Sequence, residues 1–179
     1  MKLPNHTALK EWSSVIEALG DGRQVVLVRK GGIADPAFGV EAPRFYLYPT
    51  YFHQGEMQAR AEVTITHWCE VVRLWSVREV AELERVSPLV AMPLESQMTR
   101  YRFRPDQALH VIGVRAWSLP VPRRVSWREA YGGCLSWISV DEEISVDGST
   151  SVLSEQDLEQ QFTRIDALIG AQSAADASR

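Results

Sequence analysis

The chain has 179 residues, of which 45% are apolar and 23% charged, and its formal net charge at pH 7 is −4. This size fits one globular domain, and the composition excludes a membrane-spanning chain, because no apolar run approaches the length of a bilayer-spanning helix. The net charge argues mildly against a dedicated nucleic-acid-binding protein. The first seven residues lack the apolar stretch of a secretory signal, so we expect a cytoplasmic protein with reduced cysteines and no membrane partner.

The N-terminal segment supports two alternative structures. Apolar residues repeat at helical spacing over residues 9–19, which predicts a helix that ends at Gly20. Residues 20–23 also have the composition of a tight hairpin turn, so that residues 13–19 would instead form a strand. The sequence leaves both alternatives open.

Three strands are predicted in the following part of the chain. Residues 24–28 and 44–48 are short apolar runs bounded by turn-forming residues, as buried strands are. Residues 62–72 alternate between apolar and polar side chains, and this period of two makes them the clearest strand of the sequence.

Two helices are predicted next. Ser76 and Glu79 have the spacing of a capping box, which predicts a short helix that ends before Pro88. Pro93 is expected in the first turn of a second helix that reaches Arg102.

The C-terminal part is predicted to contain strands at residues 109–119 and 135–140, followed by an amphipathic helix capped by Ser154. Together these elements predict a single α+β domain over residues 1–170, with a mixed, mostly antiparallel sheet and flanking helices. Residues 171–179 are predicted to be a disordered tail.

Two double-glycine turns, at residues 29–32 and 131–134, are the best indications of a functional site. Glycine pairs let backbone N–H groups approach an anion closely, and Arg29 and Lys30 would add positive charge beside the first pair. We also expect a positive φ at Gly31 or Gly32, because the chain turns sharply there.

Further polar residues extend this candidate site. His53 and Gln54 follow an aromatic-rich strand end, and Arg115 belongs to an arginine-rich segment. The predicted ligand-binding residues are therefore Arg29, Lys30, Gly31, Gly32, His53, Gln54, Arg115, Tyr131, Gly132 and Gly133.

Charge is segregated along the chain. Residues 100–128 contain seven arginines and one acid, whereas residues 129–159 contain eight acids and no lysine or arginine. This pattern predicts a basic and an acidic face, or two surfaces that attract each other. The leading hypothesis is a domain that binds a phosphate-bearing ligand, a nucleic acid rather than a mononucleotide. A protein-interaction module whose basic face docks on an acidic partner is an alternative.

Several motifs occur in an order that resembles a known family. They are Ala8-Leu9-Lys10-Glu11-Trp12, Val28-Arg29-Lys30-Gly31-Gly32-Ile33, Leu47-Tyr48-Pro49-Thr50-Tyr51, Arg102-Phe103 and Tyr131-Gly132-Gly133-Cys134-Leu135-Ser136-Trp137. They resemble the bacterial and archaeal family known as Domain of Unknown Function 1802. The resemblance implies a stand-alone cytoplasmic domain and no particular chemistry.

A partial resemblance points to an enzyme. Residues 70–86 resemble part of the catalytic box of Nudix hydrolases, in which carboxylates on one helix bind magnesium, although both loop glycines and one carboxylate of that pattern are missing. Under this alternative the chain is a divergent metal-dependent nucleotide phosphohydrolase, with Glu79 and Glu82 as catalytic residues and Mg²⁺ as cofactor. Apart from it, the sequence predicts no metal and no cofactor.

Overall fold

The computed structural model describes residues 6–30, 42–51, 61–133 and 135–170. Its strands are β1 (Thr7–Trp12), β2 (Val26–Arg29), β3 (Arg44–Thr50), β4 (Glu62–Val77), β5 (Leu109–Ser126), β6 (Trp137–Ser139) and β7 (Thr150–Ser151). Its helices are α1 (Ser13–Gly20), α2 (Val80–Val86), α3 (Leu94–Arg102) and α4 (Glu155–Gly170). The predicted α+β fold is confirmed, whereas the predicted tail lies outside the described residues. No helix in these ranges has the length and apolar character needed to cross a membrane.

The strands form one sheet in the order β2-β5-β4-β3-β1-β6, with β7 added to β5. Among these pairs β1 and β3 run parallel and the others are antiparallel, as predicted. In a flat sheet, β2 and β1 would lie four steps or about 19 Å apart. The side chain of Arg29 in β2 nevertheless reaches Glu11 in β1 at 2.9 Å. The sheet is therefore strongly curled.

Each face of the curled sheet carries a hydrophobic core. In β3, Phe45 and Leu47 belong to one core, and Tyr46 and Tyr48 to the other, because successive side chains of a strand point to opposite faces. The first core is packed against α4 through Phe162 and its apolar neighbours. The second core includes side chains from the segment that follows β5.

The N-terminal segment contains both a strand and a helix. Residues 7–12 form β1 and residues 13–20 form α1, so the helical alternative was correct only for the second half of the pattern. In β1, Ala8 and Leu9 are both fully buried but belong to different cores. Because β1 is buried on both faces, its residues do not alternate between polar and apolar. The helical spacing of apolar residues in the sequence therefore extends over the strand as well as over α1.

The predicted capping box at Ser76 was wrong by three residues. Ser76 and Val77 still pair with β5, and the helix begins at Val80 with Glu79 as its N-cap and Glu82 at N3. Strand pairing with β5 therefore delays the start of the helix. By contrast, the predicted cap of α4 is confirmed, since the Ser154 hydroxyl accepts a hydrogen bond from the N–H of Asp157 at 3.1 Å.

Strand β5 is longer than predicted and continues through Pro120 and Pro122 to Ser126. The two prolines lie where the register between β4 and β5 shifts, between the pairs His67–Ser118 and Ile65–Arg123. A bulge leaves backbone groups outside the ladder, so the missing N–H of proline costs little there.

Candidate functional site

A buried ion pair joins the ends of β2 and β1. The Nη2 atom of Arg29 lies 2.9 Å from Oε2 of Glu11 and also donates to the carbonyl of Lys10. Arg29 is 8% exposed and Glu11 is 2% exposed. The other carboxylate oxygen of Glu11 accepts from the N–H of Trp12 at 2.8 Å. Arg29, which the sequence predicts as a ligand-binding residue, is therefore held in the interior.

A second guanidinium lies beside this ion pair. Arg100 in α3 donates from Nη1 to the carbonyl of Val28 at 2.7 Å, and its guanidinium lies 5.9 Å from the ring centroid of Trp12. The pKa of Arg100 is lowered to about 10, chiefly by burial, with smaller opposing effects from Glu11, which raises it, and Arg29, which lowers it. Two guanidinium groups therefore share one carboxylate, which leaves a surplus of positive charge below the surface.

Lys30 is also turned inward. Its ammonium donates to the carbonyl of Tyr101 in the last turn of α3 and lies 5.4 Å from the Tyr101 ring centroid. Burial lowers the pKa of Lys30, and Asp106 opposes that shift. A cation on the C-terminal carbonyls of a helix is favourable, so Lys30 ties β2 to the end of α3.

The surface next to these buried groups carries arginines that alternate with aromatic residues. The sequence here is Arg100-Tyr101-Arg102-Phe103-Arg104, in which Arg102 is exposed, Phe103 is 40% exposed and Arg104 is partly buried. We call the cluster of Arg29, Lys30, Arg100, Arg102 and Arg104 the basic end. Within the described residues, Glu11 lies against Arg29 and Asp106 acts on Lys30, so these two acids are fewer than the five cations of the cluster.

The second double-glycine turn presents carbonyl oxygens rather than N–H groups. The ammonium of Lys10 donates to the carbonyls of Tyr131, Gly132 and Gly133 at 2.8, 3.3 and 2.8 Å. Gly133 has a positive φ of 67°, whereas the N–H of Gly132 bonds to the carbonyl of Glu129 at 2.9 Å. This turn therefore binds a cation of the chain itself, and a role in anion binding stays a prediction.

A buried polar group adjoins that turn. Tyr48, which is the neighbour of Lys10 in the β1–β3 register, packs its ring edgewise on Tyr131 with centroids 5.7 Å apart. Its hydroxyl is buried, and none of the described residues provides a hydrogen-bond partner for it. Burial raises the pKa of Tyr48 to about 12, with smaller effects in the same direction from Tyr131 and Glu142.

The structure brings some of the predicted site residues together. Arg29 bonds to the carbonyl of Lys10, and the ammonium of the same Lys10 bonds to the turn at residues 131–133. Arg115 lies elsewhere, because it is five residues, or roughly 17 Å, along β5 from His110, which pairs with Arg29. Its guanidinium lies 3.8 Å from Glu155. The predicted site residues Gly31, Gly32, His53 and Gln54 lie outside the described residues.

The two carboxylates assigned to magnesium in the hydrolase alternative cap a helix instead. Glu82 accepts hydrogen bonds from the N–H groups of Arg78 and Glu79 at 2.8 and 3.2 Å, and the Glu79 side chain accepts from the Glu82 N–H. Within the described ranges no group of three or more His, Cys, Asp or Glu residues is arranged to hold a metal. Glu70, another member of the matched pattern, pairs with Arg44 at 2.8 Å on β4. Strand pairing and helix capping thus account for these residues.

Glu11 and the outer aromatic residue Phe103 were not predicted as site residues from the sequence. The alternation of arginine and aromatic residues over 100–104 was a usable signal, because basic groups and rings together are typical of surfaces that bind single strands. No sequence pattern linked Glu11 to Arg29, because a helix and a turn separate the two residues in the chain.

Comparisons with known proteins give a family but no activity. A family model described as a domain of unknown function, DUF1802, matches residues 8–164. No curated protein matches the sequence. Among solved structures, a mutant of the ASCH protein from Zymomonas mobilis is 9% identical with a TM-score of 0.49, and the match covers 88% of this chain and 96% of that one. A second structure of ASCH from that organism is 10% identical with a TM-score of 0.47, covering 88% and 93%. Likeness at this level carries no argument about activity, and none of these matches supports the resemblance to Nudix hydrolases.

Proposed function

Because the chain belongs to the DUF1802 family, whose description assigns no activity, we propose from the basic end itself that the protein binds a phosphate-bearing ligand there, with nucleic acid as the ligand class. The observation that carries the proposal is the clustering of five cations, more than the acids placed against them among the described residues, in a chain whose net charge is −4. A cluster of positive charges creates a local potential that attracts polyanions even though the net charge of the protein is negative.

Inner and outer residues of the basic end have different tasks in this proposal. Arg29 is paired with Glu11, whereas Arg100 and Lys30 donate to backbone carbonyls. These residues therefore hold the end of α3 in place and add positive potential beneath the surface. The exposed Arg102 and the partly buried Arg104 contact phosphate groups. Sequence-independent affinity of this kind comes mainly from counterions that are released when cations meet phosphates.

The remaining predicted residues extend the proposed site. Gly31 and Gly32 directly follow Lys30, and their N–H groups would add donors next to the buried cations. His53 and Gln54 follow β3, whose Thr50 pairs with Trp12 at the same end of the sheet as Arg29. A role for Arg115 would need a second contact region, because its guanidinium lies near Glu155.

The experiment is a fluorescence-anisotropy titration of a labelled single-stranded oligonucleotide at several salt concentrations. In the wild-type protein, log affinity should fall linearly with log salt. The double variant Arg102→Ala/Arg104→Ala should reduce the slope by roughly 1.4, because each phosphate contact on a single strand contributes about 0.7.

The matched control is Arg123→Ala/Arg124→Ala, which removes the same charge from the far end of the β4–β5 ribbon, where both residues are exposed. This control should leave slope and affinity unchanged. Equal losses in the two double variants would show that net charge, not the basic end, determines binding. Absence of wild-type binding at about 50 mM salt would reject the proposed function.

A further inference from the structure

Two aromatic side chains, Tyr101 and Phe103, lie next to the basic end in the chain and differ in their contacts. Tyr101 contacts Lys30, and its hydroxyl donates to the carbonyl of Arg78 at 2.7 Å. Phe103, two residues later, is 40% exposed and directly follows α3. Its N–H still bonds to the carbonyl of Thr99 at 3.1 Å, so its backbone is fixed by the helix end while its ring reaches solvent.

Arg104 holds its guanidinium over one face of this ring. The guanidinium carbon lies 5.0 Å from the Phe103 ring centroid. Arg104 has a φ of 50°, a left-handed conformation that side chains other than glycine rarely adopt, and its carbonyl accepts from the N–H of Gln107 at 3.0 Å. A strained backbone of this kind persists only where the surrounding structure holds it, and it is concentrated at functional sites.

We infer that Phe103 is a stacking platform for an unpaired base, so that the basic end binds single-stranded nucleic acid in preference to a duplex. The inference rests on the proposed function and names the class of nucleic acid that the site takes. Arg102 and Arg104 are the neighbours of Phe103 in the sequence. Because Arg104 lies over one face of the ring, a base would stack on the opposite face, and the two arginines would place positive charge near its phosphates. Bases in a duplex are covered above and below by their neighbours, so only an unpaired base offers its face to Phe103.

The test uses three probes of about 12 nucleotides, a length within the range that single-strand-binding domains cover. They are a mixed-sequence single strand, the corresponding duplex, and a single strand of equal phosphate number with abasic positions. The wild-type protein should bind the first probe more tightly than the other two. The abasic probe separates stacking from phosphate contacts, since it keeps the charge and loses the base faces.

Two variants of Phe103 test whether its ring causes the preference for single strands. Phe103→Leu keeps an apolar side chain and should weaken single-strand binding by about 5- to 150-fold, the range found when a stacking ring is removed. The salt slope should stay unchanged because no phosphate contact is lost. Phe103→Trp keeps a ring and should retain the affinity, while thermal melting of both variants should match the wild type because Phe103 is 40% exposed.

The outcomes separate this inference from the proposed function. If the wild-type protein binds single strand and duplex equally with a steep salt dependence, the inference is wrong and the proposed function stands. Unchanged single-strand affinity in Phe103→Leu also overturns it. If no probe binds at about 50 mM salt, both proposals are rejected.

Discussion

The buried ion pair between Arg29 and Glu11 should be one of the most sensitive points of the fold. The substitution Glu11→Gln keeps the shape and a carbonyl oxygen for the N–H of Trp12, but removes the negative charge. Arg29 and Arg100 would then face each other without a counter-charge in a buried region. We expect the free energy of unfolding to fall by about 3–5 kcal/mol, the usual cost of removing one partner of a buried pair.

The magnitude follows from the geometry of the pair. At the observed 2.9 Å separation, two unit charges attract each other by about 6 kcal/mol if the effective dielectric constant is near 20. The desolvation of both groups offsets part of this attraction while the pair is intact. When Glu11 loses its charge the attraction disappears, whereas the desolvation of Arg29 remains.

The assay is urea denaturation of four proteins, monitored by tryptophan fluorescence. They are the wild type, Glu11→Gln, Arg29→Met and the double variant. The double variant should be more stable than the sum of the single effects predicts, because no unpaired charge from this pair remains in it. A loss below about 0.5 kcal/mol for Glu11→Gln, typical of a surface site, would refute the reasoning.

Two further substitutions test the packing around the site. Tyr48→Phe removes a buried hydroxyl to which no described residue is hydrogen-bonded and should raise the free energy of unfolding by up to about 1 kcal/mol in urea denaturation. Because the pKa of Tyr48 is raised to about 12, the unfolded chain loses this proton first, so wild-type stability should fall between about pH 10 and 12 more steeply than that of the variant. Gly113→Ala would place a Cβ atom 2.8 Å from the Trp75 ring and 2.9 Å from the Phe162 ring, and should cost about 1–3 kcal/mol by thermal or urea denaturation. A Gly113→Ala protein as stable as the wild type would show that both rings can move aside.

Local signals allowed much of the fold to be predicted. The strand signal at residues 62–72 and the Ser154 cap of α4 depend on neighbours within a few residues. The cap is confirmed, and the strand is confirmed but continues to Val77, with the alternation of burial interrupted at Trp68 and Cys69. The helix start at Ser76 was wrong because Ser76 and Glu79 match the same motif as Glu79 and Glu82. Pairing with β5 decides between the two positions, and a local motif contains no information about that pairing.

The candidate site was harder to predict because burial at its centre depends on the curvature of the whole sheet. The sequence shows that Arg29 and Lys30 end a strand, and it indicates charge and a glycine turn beside them. It does not show that the sheet curls until β2 faces β1, which brings Glu11 to Arg29 across 18 positions of sequence. The same curvature buries the Arg29 side chain, which the sequence predicts as a ligand contact.

The presence of Arg100 beside the Arg29–Glu11 pair is not explained by fold stability alone. A buried pair of Arg29 and Glu11 would hold β2 to β1 without any further cation, and adding Arg100 increases repulsion within the cluster. Burial of ionised groups is costly, and an apolar side chain at position 100 would remove that cost. Arg102 and Arg104 follow Arg100 closely in the chain, so under the proposed function the surplus charge would strengthen the positive potential that a phosphate meets there. Binding of a polyanion, as proposed, would offset the repulsion between these guanidinium groups and would give Arg100 a physical role in recognition.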